Sequence, residues 1–150
     1  ATELAAIAKA SAAAARRMGR EPRVAFLSFS TFGDPKGKIP ESIREAVALL
    51  DARPQDFEYD GEMAADVALD PALHALYPFC RLNGAANVLV MPGLHAAQIL
   101  TKALPRLSSA TVIGPILQGL ARPVQIVPLD APTSTVVLMA GLAGYQSLAR

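Results

Sequence analysis

Residues 23–29 read Arg-Val-Ala-Phe-Leu-Ser-Phe, a nearly continuous apolar run. Such a run predicts a strand buried on both faces, the mark of a mostly parallel sheet between two helix layers. Residues 87–91 (Asn-Val-Leu-Val-Met) and 110–114 (Ala-Thr-Val-Ile-Gly) repeat the pattern, residues 123–127 add another strand, and residues 57–59 a short one. Between these runs the spacing becomes helical. Leu4, Ile7 and Met18 share one face of an N-terminal helix, with Glu3 in its first turn and Arg16 and Arg17 near its end, as the helix dipole favours. Gly19 stops it. Ile43, Val47 and Leu50 mark a helix over residues 41–50 that Pro54 closes, and Asp70-Pro71 interrupts another over residues 63–69. Residues 95–104 and 133–149 complete the set, the last capped by Thr133 or Ser134. Strands alternating with helices over short connections predict an α/β fold, read as one unit across residues 1–150.

Composition adds what the pattern leaves open. A chain of 150 residues can bury about 70% of its unfolded surface, so a sizeable core is expected. Charged residues make up 18% and hydrophobic residues 52%, against roughly 25% charged in an average soluble domain. Surface of that kind calls for a cover, either a missing domain or a second copy. The net charge of +1 creates no field that recruits nucleic acid or an anionic membrane. No apolar run reaches the roughly 18 residues that span a bilayer. Nucleic acid and membrane are therefore excluded as partners. Cys80 stands alone, which rules out an intrachain disulfide and fits a cytoplasmic setting. The Ala-rich, basic N-terminus reads as a helix rather than a transit peptide, and the missing initiator Met predicts a piece of a longer protein.

Candidate chemistry is sparse. Ser28, Ser30, Thr31 and Gly33 leave the end of a buried strand, with Lys36 and Lys38 just beyond; hydroxyls, backbone N–H groups and a nearby cation suit a phosphate. No Walker or Rossmann glycine pattern accompanies them. Were a helix to start near Glu62, then Glu62 and Asp66 would share one face and could hold a hard cation, although local spacing places no third donor, so no metal site is assigned. His74 and His95 lack companions at metal spacing and read as structural, and Cys80 beside Phe79 reads as core rather than nucleophile. Gly114 ends an expected strand, Pro115 suits a first helical position, and Gln118 lies near that expected helix start, where N–H groups accept anions.

Four stretches, "RVAFLSFSTFG", "DFEYDGEMAADVAL", "NVLVMPGLHAAQILTKAL" and "TVIGPILQGLARPV", occur in the order and spacing of the phosphate acetyl/butyryltransferase family, which the chain resembles from about residue 5 to 145. "YPFCRLNGAANVLVMPGLHAAQI" looks most like the version fused at the C-terminus of hybrid NADP-dependent malic enzymes, of which this would be the module's second half. The resemblance implies a three-layer α/β/α fold of the isocitrate/isopropylmalate dehydrogenase-like, phosphotransacetylase type. It also implies that an active member carries Ser-Arg after the strand that ends near residue 127, then an acid acting as base toward the coenzyme A thiol. In this chain those positions hold Pro128, Leu129 and Thr135, and Asp130 sits one place beyond the Arg position. Proline has no donor, leucine no charge and threonine no basicity near neutral pH, so no catalytic residue is expected. The implied role is acetyl-CoA sensing and oligomerisation, as a homodimer or higher oligomer. The binding candidates are Ser28, Ser30, Thr31, Gly33, Gly114, Gln118 and Asp130. NADP and Mg or Mn would belong to an upstream malic enzyme catalytic domain, with no cofactor in this stretch. Three alternatives stand beside this reading: an active phosphate acetyltransferase, part of a metal-dependent decarboxylating dehydrogenase using Asp60, Glu62 and Asp66, and a dimerisation domain without ligand.

Overall fold

A computed structural model describes residues 1–148; Ala149, the last residue of the expected closing helix, and Arg150 lie outside the described residues. The chain forms two compact units, Ala1–Gln98 and Ile99–Arg150. In the first, β1 (Arg23–Leu27), β2 (Glu58–Met63) and β3 (Val88–Val90) form a parallel sheet in the order β2-β1-β3. The strand run without polar alternation now has its reason. Val24 and Phe26 pack with Ala5, Ala8 and Ala12 of α1 (Thr2–Arg17) and with Ile43, Val47 and Leu50 of α2 (Lys38–Asp51). Ala25 and Leu27 join a second core with Met63, with Val67 and Ala68 of α3 (Ala65–Leu69), and with Leu82 and Ala86. Each fully buried side chain such as Phe26, Ile43 or Leu50 contributes about 1.5–3 kcal/mol of transfer free energy. Apolar material on both faces of β1 is the layered α/β arrangement that the sequence predicts.

In this unit two expectations change and one holds. The buried face of α1 is Ala5, Ala8 and Ala12, whereas Ile7 and Met18 are each 50% exposed; small side chains let this helix lie close to the core, and larger ones turn outward. The acidic run 58–63 is strand, not helix start, because it pairs with β1 and its last four residues are buried, and α3 begins only at Ala65. Glu62 and Asp66 are therefore not one turn apart on a common helix. The interruption at Asp70-Pro71 is as expected: Asp70 Oδ1 accepts from Ala72 N at 3.0 Å, opening a short 3-10 turn, Pro71–Leu76.

Helix α4 (Leu94–Leu107) crosses the boundary of the units, and α5 (Thr133–Leu148) closes the described chain. The strands expected at 110–114 and 123–127 are absent. One antiparallel bridge, Ile116 to Gln125, stands in their place, and Ile113 and Ile126 are each 48% exposed. A strand needs a ladder partner for its backbone, and here an apolar run alone does not make one. The helix start expected at Pro115 is absent for the same local reason, since Ile116 enters the bridge. Pro132 O accepts from Thr135 N at 2.9 Å and Val136 N at 3.3 Å, so α5 opens on that carbonyl rather than on a Thr133 or Ser134 hydroxyl cap.

Candidate functional site

The register between β1 and β2 runs Phe26 to Gly61 and then Leu27 to Met63, so Glu62 is the extra residue of a bulge. Bulges re-aim side chains. A Cβ on Gly61 would lie 2.8 Å from both the Cβ and the backbone oxygen of Phe26, and Gly61 has φ +144°; only glycine fits where the strands approach this closely. Glu62 is fully buried. Its Oε1 accepts from Ser30 Oγ at 2.8 Å, Gly33 N at 2.7 Å and Arg44 Nη1 at 2.7 Å. Its Oε2 is buried without a hydrogen-bond partner. The loop after β1 is sewn to the end of β2 by further bonds. Ser28 N donates to Met63 O at 2.9 Å, Phe32 N to Glu62 O at 2.8 Å, and Ala64 N to Thr31 Oγ1 at 3.0 Å. Phe32 has φ 49° and Gly33 φ 106°, the left-handed turn that presents the Gly33 N–H to the carboxylate. The Phe32 ring is held by Tyr77 and Phe79, with centroids 5.4 and 5.0 Å away.

A second polar network lies along β2. Asp60, also buried, accepts from Arg81 N at 2.7 Å and Arg81 Nε at 3.3 Å, while Arg81 Nη1 donates to Asp51 at 2.7 Å. Tyr59 Oη donates to the same Asp51 oxygen at 2.7 Å, and the guanidinium stands 4.9 Å over the Tyr59 ring. Burial and the bond to Asp51 push the Tyr59 phenol up to about 12. Burial works to raise Asp51 as well, but the donors Tyr59 and Arg81 outweigh it and hold the carboxyl below its ordinary value. Burial raises the Cys80 thiol, which leaves it a poor nucleophile. His74 Nε2 donates to Val67 O at 2.9 Å, a structural bond, and His95 is exposed on α4.

Of the predicted ligand residues, the structure brings Ser30 and Gly33 together on Glu62 and ties Ser28 and Thr31 into the same loop. Gly114, Gln118 and Asp130 fall in the second unit, where Asp130 is exposed beside a turn closed by Ala131 N donating to Pro128 O at 3.1 Å. Leu129 in that turn is 108% exposed. Asp60, Glu62 and Asp66 do not converge: Asp60 is spent on Arg81, Glu62 on the loop, and Asp66 Oδ1 accepts from Val67 N. Among the described residues, no group of three His, Cys, Asp or Glu is placed to hold a metal ion. Sequence reasoning did not single out Arg44, which lies between the core positions Ile43 and Ala46 and so reads as an ordinary helix-surface charge.

The sequence profile of the phosphate acetyl/butaryl transferase family matches residues 1–143. The chain belongs to that family. A relative named NADP-dependent malic enzyme from Rhizobium meliloti (strain 1021) is 55% identical over 145 residues, covering 97% of this chain and 19% of the relative. A phosphate acetyltransferase of Paracoccus denitrificans is 50% identical over 82% of this chain and 39% of its own length. The crystal structure of a phosphotransacetylase from Streptococcus pyogenes superimposes with a TM-score of 0.92 at 33% identity, covering 99% of this chain and 46% of that one. The fold is thus of the phosphotransacetylase type. The chain spans about a fifth of the malic enzyme and less than half of either transferase.

Proposed function

We propose that this chain is the regulatory, catalytically silent transferase-like part of an NADP-dependent malic enzyme, sensing acetyl-CoA and holding subunits together. The observation that carries the reading is the turn at residues 128–131. Where the family resemblance calls for a Ser-Arg pair, the chain places Pro128 and a fully exposed Leu129, and Thr135 stands on α5 in place of the acid. Acyl transfer between coenzyme A and phosphate needs a cation for the phosphate and, toward the thiol, a base; this turn holds no cation, and its one carboxylate, Asp130, stands a place beyond the Arg position. A cleft without reactive groups still regulates, provided it binds its ligand better in one arrangement of the protein than in another. The identity to a named malic enzyme supports the parent activity, malate oxidation and decarboxylation, with NADP and Mg or Mn held in an upstream catalytic domain in the cytoplasm. No helix among the described residues is long and apolar enough to cross a membrane.

The test is a paired assay on the full-length protein. Acetyl-CoA is expected to lower NADPH production from malate, and no acetyl phosphate is expected from acetyl-CoA and phosphate. Acetyl phosphate formation at ordinary enzyme rates would establish the second reading, an active phosphate acetyltransferase, which the 50% identity to the Paracoccus denitrificans enzyme favours.

A further inference from the structure

The donors around Glu62 have the chemistry of an oxyanion site. One oxygen collects a hydroxyl from Ser30 at 2.8 Å, a backbone N–H from the left-handed turn at Gly33 at 2.7 Å, and a guanidinium N–H from Arg44 at 2.7 Å. Hydroxyl, turn amide and guanidinium are the groups that hold a free carboxylate or phosphate oxygen. Here the anion is delivered from inside the chain by the bulge that displaces Glu62 from the register of β2. The fit is incomplete. Oε2 is buried and receives no donor, which is costly for an ionised oxygen and makes the resident anion less than ideal. Arg44 is 38% exposed while Glu62 is sealed, so the guanidinium reaches from solvent to a carboxylate that is itself out of contact with water.

We propose that the turn at residues 30–33 and Arg44 form a small-oxyanion site whose occupant is the protein's own Glu62, and that withdrawing this carboxylate opens the site to an external one. The proposal goes beyond the acetyl-CoA reading and does not rest on it. Replacing Glu62→Ala removes the resident anion and leaves the three donors facing a space of carboxylate size. The variant is expected to bind formate. Its thermal midpoint rises with sodium formate beyond what sodium chloride of equal ionic strength produces, and at formate tenfold above the dissociation constant its unfolding constant falls about elevenfold. The parent protein responds alike to both salts. Combining Glu62→Ala with Arg44→Gln abolishes the formate response. Inorganic phosphate is the second arm: rescue by phosphate alone keeps the site and assigns it to a dianion. Should Glu62→Ala fail to fold in chloride, recovery of folded protein in formate or phosphate becomes the readout. A variant that gains nothing from either anion over chloride, or whose rescue survives Arg44→Gln, overturns the proposal.

Discussion

Replacing Gly61→Ala tests whether the bulge geometry, and not side-chain chemistry alone, builds the polar site. The added Cβ would sit 2.8 Å from the Cβ and the backbone oxygen of Phe26 and 3.3 Å from its Cα, against 3.4–4 Å for ordinary contact. Two of these three atoms are backbone and the third is the Cβ bonded to it, within β1, and none is the yielding end of a long side chain. Holding a non-glycine residue at φ +144° costs about 1–3 kcal/mol, and forcing the strands apart adds about 1–3 kcal/mol as overpacking. The sum, about 2–6 kcal/mol, is a large part of the 5–15 kcal/mol typical of a domain. With a urea slope of about 2 kcal/mol/M, the midpoint falls by about 1–3 M. Equilibrium urea unfolding followed by circular dichroism measures this directly. Gly84→Ala is the control, since its Cβ would meet only the Arg23 side chain at 3.6 Å. A midpoint shift for Gly61→Ala no larger than the control's would refute the close approach and the bulge argument built on it.

The Tyr59 phenol, held near 12 by burial and by Asp51, keeps its proton where the unfolded chain loses it near 10. Its stabilisation is therefore whole below pH 10 and declines as pH rises through 12. Ultraviolet titration of the three tyrosines should show a late step that Tyr59→Phe removes; a late step that persists in the variant rejects the assignment. On α5, Val137, Leu138, Tyr145 and Leu148 are all exposed and lie within about 100° of the helix circumference, an apolar stripe expected to close a twofold dimer. Light scattering should find a dimer that Val137→Asp with Tyr145→Asp converts to monomer, and a dimer indifferent to both substitutions sinks the helix-face interface. In the loop after β1, Ser30→Ala should lower the urea midpoint yet leave the acetyl-CoA inhibition proposed for the full-length protein in place, whereas Lys36→Ala with Lys38→Ala should weaken that proposed inhibition at unchanged stability. The opposite assignment of effects would return Ser30 to a ligand role.

What the sequence makes legible follows the physics of burial. Residues 23–27 are apolar without alternation because both faces of β1 are covered, and Ile43, Val47 and Leu50 keep helical spacing because one face of α2 meets that same core. The motifs behind the family resemblance are contiguous stretches, which need no tertiary information to read, and the family follows from them. Alanines defeat the same logic in α1: Ala5, Ala8 and Ala12 are the buried face, but their hydropathy is too weak to stand out from an Ala-rich background. At 110–114 and 123–127 apolar content imitates a strand while the backbone has one bridge, since periodicity reports side chains and says nothing of a ladder partner. The site itself is the least legible part. A bulge shifts one residue against its neighbour strand, so Glu62 looks like a helix-start acid until the register with β1 is known.

That register also redistributes the chemistry of the loop. Hydroxyls and glycine amides beyond a strand end look like donors awaiting a phosphate, yet Ser30 Oγ and Gly33 N already donate to Glu62, and Thr31 Oγ1 is an acceptor for Ala64 N. A ligand that engaged Ser30 or Gly33 would first have to take that donor from a buried carboxylate, a penalty of about 1–3 kcal/mol. The exposed Lys36 and Lys38 carry no such penalty. A phosphate-bearing ligand approaching this edge of the sheet therefore gains more from the lysines than from the hydroxyls, and the hydroxyls gain more from Glu62 than from the ligand. The separation of roles expected between Ser30→Ala and the paired lysine variant follows from that inequality.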